Sequence, residues 1–140
     1  MKPWKWLVLL SAGFYLLSLI LVGIVPNPGA NAHAETYGYE CVFAGWLGFF
    51  SGHPEPGIAW SANPAYLVLL ALCLPRMKLR IHPALGLIPF LLSLMSFGIT
   101  VMVSDVEGGG VTPVHLGEGA YLWMIALFLF APVLVLKGKN

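Results

Sequence analysis

A chain of 140 residues, 59% hydrophobic and only 9% charged, departs from soluble globular domains, which carry roughly a quarter charged residues. A net charge of +1, without a basic stripe interleaved with aromatics, argues against a nucleic-acid partner. The composition and length point to one membrane domain with a lipid bilayer as its solvent.

The charges are sorted along the chain. Lys2 and Lys5 open it, Arg76, Lys78 and Arg80 lie at its middle, and Lys137 and Lys139 close it. Glu35, Glu40, Glu55, Asp105, Glu107 and Glu118 occupy the two stretches between those clusters. Basic residues stay on the cytoplasmic side of short loops, so both termini and the central loop, 76–82, are expected inside. The expected fold is an all-α integral membrane protein: a four-transmembrane-helix bundle, N-in/C-in, with spans at about 6–25, 58–79, 83–104 and 119–136.

The first run, Trp6 to Val25, is long enough to cross, since roughly 20 apolar residues span the hydrocarbon. A cleaved signal peptide is the competing expectation, because Ala32-His33-Ala34 has a small-x-small form. The outer segment 26–57 is rich in Gly, Pro and Ala and contains the apolar stretch Cys41–Phe50, too short to cross. That stretch is expected to be an interfacial or re-entrant segment with Trp46 at headgroup depth, forming an outer cap.

In the second run, Asn63 and Pro64 resemble an N-cap and first helical residue. Too few residues then separate Pro64 from Pro75. The helix must therefore begin near Gly57 or continue through Pro75 with its basic residues snorkelling, and continuation is the favoured expectation. In the third run, Gly86, Ser93, Ser96, Phe97, Thr100 and Ser104 recur at near-helical spacing as a packing seam, with Ser11, Tyr15 and Ser18 as a matching stripe on the first. The last run enters through Tyr121 and Trp123 and carries Pro132 near its inner end, and the second outer loop is 105–118. Cys41 and Cys73 are expected on opposite sides of the bilayer and therefore unbridged.

Candidate chemistry lies outside. His33 and Glu35, His53 and Glu55, and His115 and Glu118 are short-spaced imidazole–carboxylate pairs of the kind that bind a transition metal. Trp46, Phe49, Phe50, Trp60, Asp105 and Glu107 are candidates for contacting a partner. Asp, Glu, Lys, Arg and His are missing from the middle of each run, which argues against a proton relay or ion pump. No nucleophile elbow, phosphate loop or dinucleotide fingerprint occurs. The four-span plan is shared by quinone-linked disulfide-forming proteins and claudin-like tetraspan proteins, yet the cysteine patterns of both are missing, so no family follows.

The leading expectation is a non-enzymatic accessory or immunity-type subunit that needs no cofactor and binds a protein partner in the membrane or on its outer side. Alternatives are a metal-responsive or redox membrane enzyme or transporter built on the outer His and Glu residues, and a small channel or carrier formed as a homo-oligomer. Compactness, short tails and the absence of Asn-x-Ser/Thr in the outer segments favour a bacterial cytoplasmic (inner) membrane.

Overall fold

The computed structural model describes residues 2–27, 35–50, 54–73, 82–103 and 111–138. The molecule is mainly helical with a small antiparallel sheet at one end. Helix α1 (Pro3–Ile20) opens with proline in its first turn, where the missing N–H breaks no intrahelical bond. Its 18 residues give a rod of ~27 Å at 1.5 Å per residue. The apolar run then changes conformation, and β1 (Val22–Pro26) follows. The expectation of helix as far as Val25 is corrected here. Val22, Ile24 and Val25 are β-branched and suit a pleated surface, and Pro26 ends the strand.

The other outer segments supply the remaining strands, β2 (Thr36–Tyr37), β3 (Val101–Val103) and β4 (Val111–Leu116), in the order β2-β1-β4-β3. Ile24 pairs with Leu116 and Val25 with His115, while Val101 pairs with Pro113. Pro113 is tolerated in a central strand because its carbonyl, and hence its nitrogen, faces Asn27 at the end of β1, where the ladder stops. Gly117 N–H donates to the Gly23 carbonyl at 2.9 Å. A Cβ at Gly38 would collide with the Ser18 carbonyl oxygen, so the turn from β2 into the next helix requires glycine there.

That helix, α2 (Gly38–Ala44), starts with the Glu40 carboxylate accepting from Tyr37 N–H at 2.8 Å, and runs into a 3-10 helix over Gly45–Phe50. The stretch expected as an interfacial or re-entrant segment is therefore helical, resting on α1 and on α3 (Glu55–Trp60). Helix α3 continues after a turn at Ser61 into α4 (Ala62–Leu72). Pro64 cannot donate to the Trp60 carbonyl, which accounts for the break at that point. Asn63 is thus inside a helical stretch beginning at Glu55, which corrects its expected role as a cap. The expected continuation past Pro75 lies outside the described residues.

The third run is helical from Pro83 to Gly98 as a 3-10 turn, α5 (Ile88–Ser93) and a second 3-10 turn. It then becomes β3 after Gly98, so the expected helix to Ser104 ends nearly two turns early. The last run forms α6 (Glu118–Phe130) and α7 (Val133–Gly138), interrupted at Pro132. Among the described residues, Pro3–Ile20 and Glu118–Lys137 are long and apolar enough to cross a membrane, and Pro83–Gly98 is apolar but shorter.

The interior combines an apolar cluster, including Leu69, Leu127, Phe130, Val133 and Leu134, with buried hydroxyl residues. Helix α1 buries Ser11, Tyr15 and Ser18 against the other helices, mainly α6. Its leucines and Ile20 point outward, Leu16 at 63% and Ile20 at 67% exposure. Ser93 and Ser96 are buried while Leu91, Leu94 and Phe97 are exposed, and α6 exposes Ile125 and Phe128. The stripe Ser11–Tyr15–Ser18 meets α4 and α6, not the serines of the third run with which it was expected to match. Ser11 Oγ donates to the Ala126 carbonyl at 2.8 Å and lies 2.9 Å from Tyr66 Oη. Tyr15 stacks on Tyr66 at 4.9 Å, and Tyr66 meets Phe130 edge-on.

The two ends differ in charge. Opposite the sheet, Lys5 and Lys137 both place their ammonium groups over the Trp4 ring, at 5.7 and 5.9 Å. Lys137 also donates to the Leu72 carbonyl at 3.1 Å, closing the C-terminus of α4. Glu35, Glu40 and Glu118 lie on or beside elements of the sheet end.

Candidate functional site

Beneath the sheet, where α1 gives way to β1, the chain leaves a partly open cavity of about 440 Å³. One wall is α2 and its 3-10 continuation, contributing Cys41, Val42 and Leu47; the facing wall is Leu19, Ala120 and Trp123. Gly23, Ile24 and Thr36 line the sheet side, and Ala59, Trp60 and Asn63 the floor. Its volume lies within the ~300–1,000 Å³ range of small-molecule pockets, and its lining is predominantly apolar.

The cavity owes its shape to glycines. A Cβ on Gly45 would press into the Trp60 ring at 2.7 Å, and one on Gly48 would approach Gly57 N at 2.7 Å. These close approaches hold the 3-10 helix against α3 and leave the space behind it open. Trp60 Nε1 donates to the Val42 carbonyl at 2.5 Å, pinning α2 to α3.

A polar floor completes the site. Asn63, 5% exposed, accepts two hydrogen bonds on Oδ1, from Tyr15 Oη and from Trp123 Nε1, each at 2.9 Å. Indole nitrogen is only a donor, so the amide oxygen must face it and the NH2 group must point elsewhere. Among the described residues no side-chain nitrogen or oxygen is buried without a partner. Among the described residues the Asn63 NH2 has no acceptor, and it therefore keeps access to the cavity that Asn63 lines.

Cys41 adds a thiol whose pKa is pushed up to about 11, first by burial and then by the neighbouring Glu40 carboxylate. It is neutral near pH 7. The same carboxylate raises the Tyr39 phenol above its ordinary range. Both cysteines are free.

The sequence candidates are dispersed. His33, His53, Asp105 and Glu107 lie outside the described residues. Glu35 is exposed; Glu55, half-buried at the start of α3, packs beside Gly98. His115 Nδ1 lies 2.8 Å from Asn27 Oδ1 across the β1–β4 pair, and Glu118 is exposed at the start of α6. Among the described residues no three His, Cys, Asp or Glu side chains gather as a metal set. Trp46, Phe49 and Phe50 are exposed on the 3-10 helix, with Phe50 at 80%, whereas Trp60 is half-buried and lines the cavity.

Asn63 and Trp123 were missed as a pair. Ser-Ala-Asn-Pro reads as a helix start, and Trp123 as an interfacial anchor, so nothing local linked them. The available signal was an amide in an otherwise apolar stretch. No protein-family model, curated protein or solved structure matches this chain.

Proposed function

We propose that the chain is a small integral membrane protein with four spanning segments, both ends on the cytoplasmic face, whose sheet end binds another membrane component without catalysing a reaction. The observation that carries this reading is the outward apolar face: Leu16 and Ile20 of α1, Leu91 and Phe97 of the third run and Phe128 of α6 are exposed, while Ser11, Ser18, Asn63, Ser93 and Ser96 are buried beside the apolar cluster of Leu127, Phe130 and Val133. In water, so much contiguous exposed apolar surface is unfavourable; in lipid it has no such penalty, and interior hydrogen bonds hold the helices together.

Two arrangements support the orientation. Lys5 and Lys137 gather around Trp4, and Lys137 caps the Leu72 carbonyl, so the positive residues of the first and last described segments meet at one end. Phe43, Trp46 and Phe50 project from the short helical cap at the other end, where the membrane interface favours aromatic rings. Helix α1, ~27 Å long, matches a hydrocarbon core of ~30 Å.

The test is recovery from membranes followed by cross-linking. Alkaline carbonate should leave the protein in the pellet, and a photoreactive residue at position 50 should capture a membrane component in stoichiometric yield. A protein released by carbonate contradicts the membrane reading; one that stays in the membrane yet captures nothing contradicts the binding reading.

A further inference from the structure

We propose that the cavity beneath the sheet is a binding site for an acyl ester of a membrane lipid, with the ester carbonyl accepting a hydrogen bond from the Asn63 amide and the acyl chain lying against the apolar walls. This deepens the function proposed above and rests on its membrane orientation.

Three observations converge on that chemistry. The first is the unpartnered donor. Asn63 is 5% exposed, its oxygen is occupied by Tyr15 and Trp123, and its NH2 is left with the cavity as its outlet. That NH2 is not buried but keeps its exposure through the cavity, so an occupant that covers it without an acceptor leaves it unsatisfied, and a ligand that brings an acceptor gains more than one that brings only apolar surface. Trp123 and Tyr15 fix the amide orientation in advance, so little ordering remains when a ligand arrives.

The second is that the described lining carries a carboxylate, Glu40, and no basic side chain. Of the groups on the walls, Glu40 accepts from Tyr37 N–H and is placed at the start of α2, and Trp60 spends its N–H on Val42. Among the described residues no Lys or Arg lines the cavity to hold a phosphate or carboxylate. The ligand's recognised end is therefore a neutral acceptor, such as an ester carbonyl.

The third is depth. Thr36 and Gly23, on the sheet side, stand beyond the end of α1, whereas Asn63 bonds Tyr15, about one turn and a half inside that end. With the basic end of α1 at the cytoplasmic interface, the cavity bridges the opposite headgroup boundary and the uppermost acyl region. Glycerol ester carbonyls lie at that boundary. The segment Gly45–Phe50 borders the cavity with Leu47 and Phe50, both exposed, and Phe43 stands exposed nearby, which gives a lipid chain a route along an apolar surface.

The experiment uses full-length protein in vesicles of ether-linked phosphocholine lipid, which carry no carbonyl. The probe is a methyl decanoate bearing a diazirine in its chain. Wild-type protein should be labelled on cavity residues such as Leu47 and Ala120, and 1,2-dioctanoylglycerol should suppress the label at roughly one-tenth the concentration of its ether analogue 1,2-dioctylglycerol, as expected for one buried hydrogen bond. In Asn63→Leu the two competitors should become equivalent. The wild-type comparison decides the matter even if that variant fails to fold. Equal competition by ester and ether in wild type overturns the proposal, as does stronger competition by a decyl-substituted benzoquinone or labelling confined to outward residues such as Leu16 and Phe128. Those outcomes leave the membrane reading intact. Failure of the protein to enter vesicles at all refutes the membrane reading itself.

Discussion

The indole N–H of Trp123 donates to Asn63 Oδ1 at 2.9 Å, joining α6 to α4 through an oxygen that also accepts from Tyr15 on α1. Three of the four helical rods thus meet at one amide. Loss of a single donor and loss of the shared acceptor should differ sharply. Tyr15→Phe should lower stability by about 0.5–1.5 kcal/mol. Asn63→Leu strands both donors and should cost about 2–4 kcal/mol. Reversible unfolding in mixed micelles measures both; equal losses would show that the oxygen is not shared.

Two glycines separate packing from propensity. Gly38 abuts the Ser18 carbonyl, whereas Gly13 in α1 has open space around its Cα. Gly38→Ala should destabilise by about 1–3 kcal/mol through forced displacement of α2. Gly13→Ala should be neutral or stabilising by up to ~1 kcal/mol, the helical advantage of alanine. The same unfolding assay compares them, and a loss at Gly13 as large as at Gly38 would contradict the contact.

The Cys41 thiol carries a distinct pH signature. Because its pKa is raised to about 11 from an ordinary 9.0, maleimide alkylation should climb about tenfold per pH unit between pH 7 and 10, with no plateau near 9. The sign for stability follows: a folded pKa above the unfolded one contributes stability fully present below about pH 9. That contribution is lost as pH rises through the folded value. Glu40→Gln removes the neighbouring negative charge and should bring the alkylation midpoint down. An unchanged midpoint in that variant would mean that Glu40 does not act on the thiol.

At the basic end, Lys137 ties the last helix to α4 and to Trp4. Lys137→Met should cost about 1 kcal/mol, and Lys137→Arg, which keeps the charge, a donor and the aromatic contact, appreciably less. Unfolding midpoints of the two variants against wild type provide the comparison.

Polarity along the chain made the helical runs legible, because alternation of apolar runs and sorted charges is a long-range signal that survives without coordinates. The stripe Ser11–Tyr15–Ser18 was equally legible as a packing face, since its helical spacing gathers small and hydroxyl residues on one side. The sheet was not. Val22–Pro26 and Val101–Val103 are as apolar as the helices they extend, so hydropathy conceals the change to extended backbone, and only their β-branched residues hinted at it. The cavity was hidden for a different reason. Its floor depends on Asn63 and Trp123, 60 positions apart, and its walls on glycine contacts that no local pattern reveals.

The most direct measurement of the central claim is sided cysteine labelling. In a Cys41→Ser, Cys73→Ser background, single cysteines replace Glu35 at the sheet end and Pro3 at the basic end, both exposed. An impermeant maleimide applied to intact cells should modify position 35 and leave position 3 unmodified until the membrane is permeabilised. Equal labelling of both positions in intact cells, or labelling of position 3 alone, would contradict a membrane-spanning protein with its sheet outside.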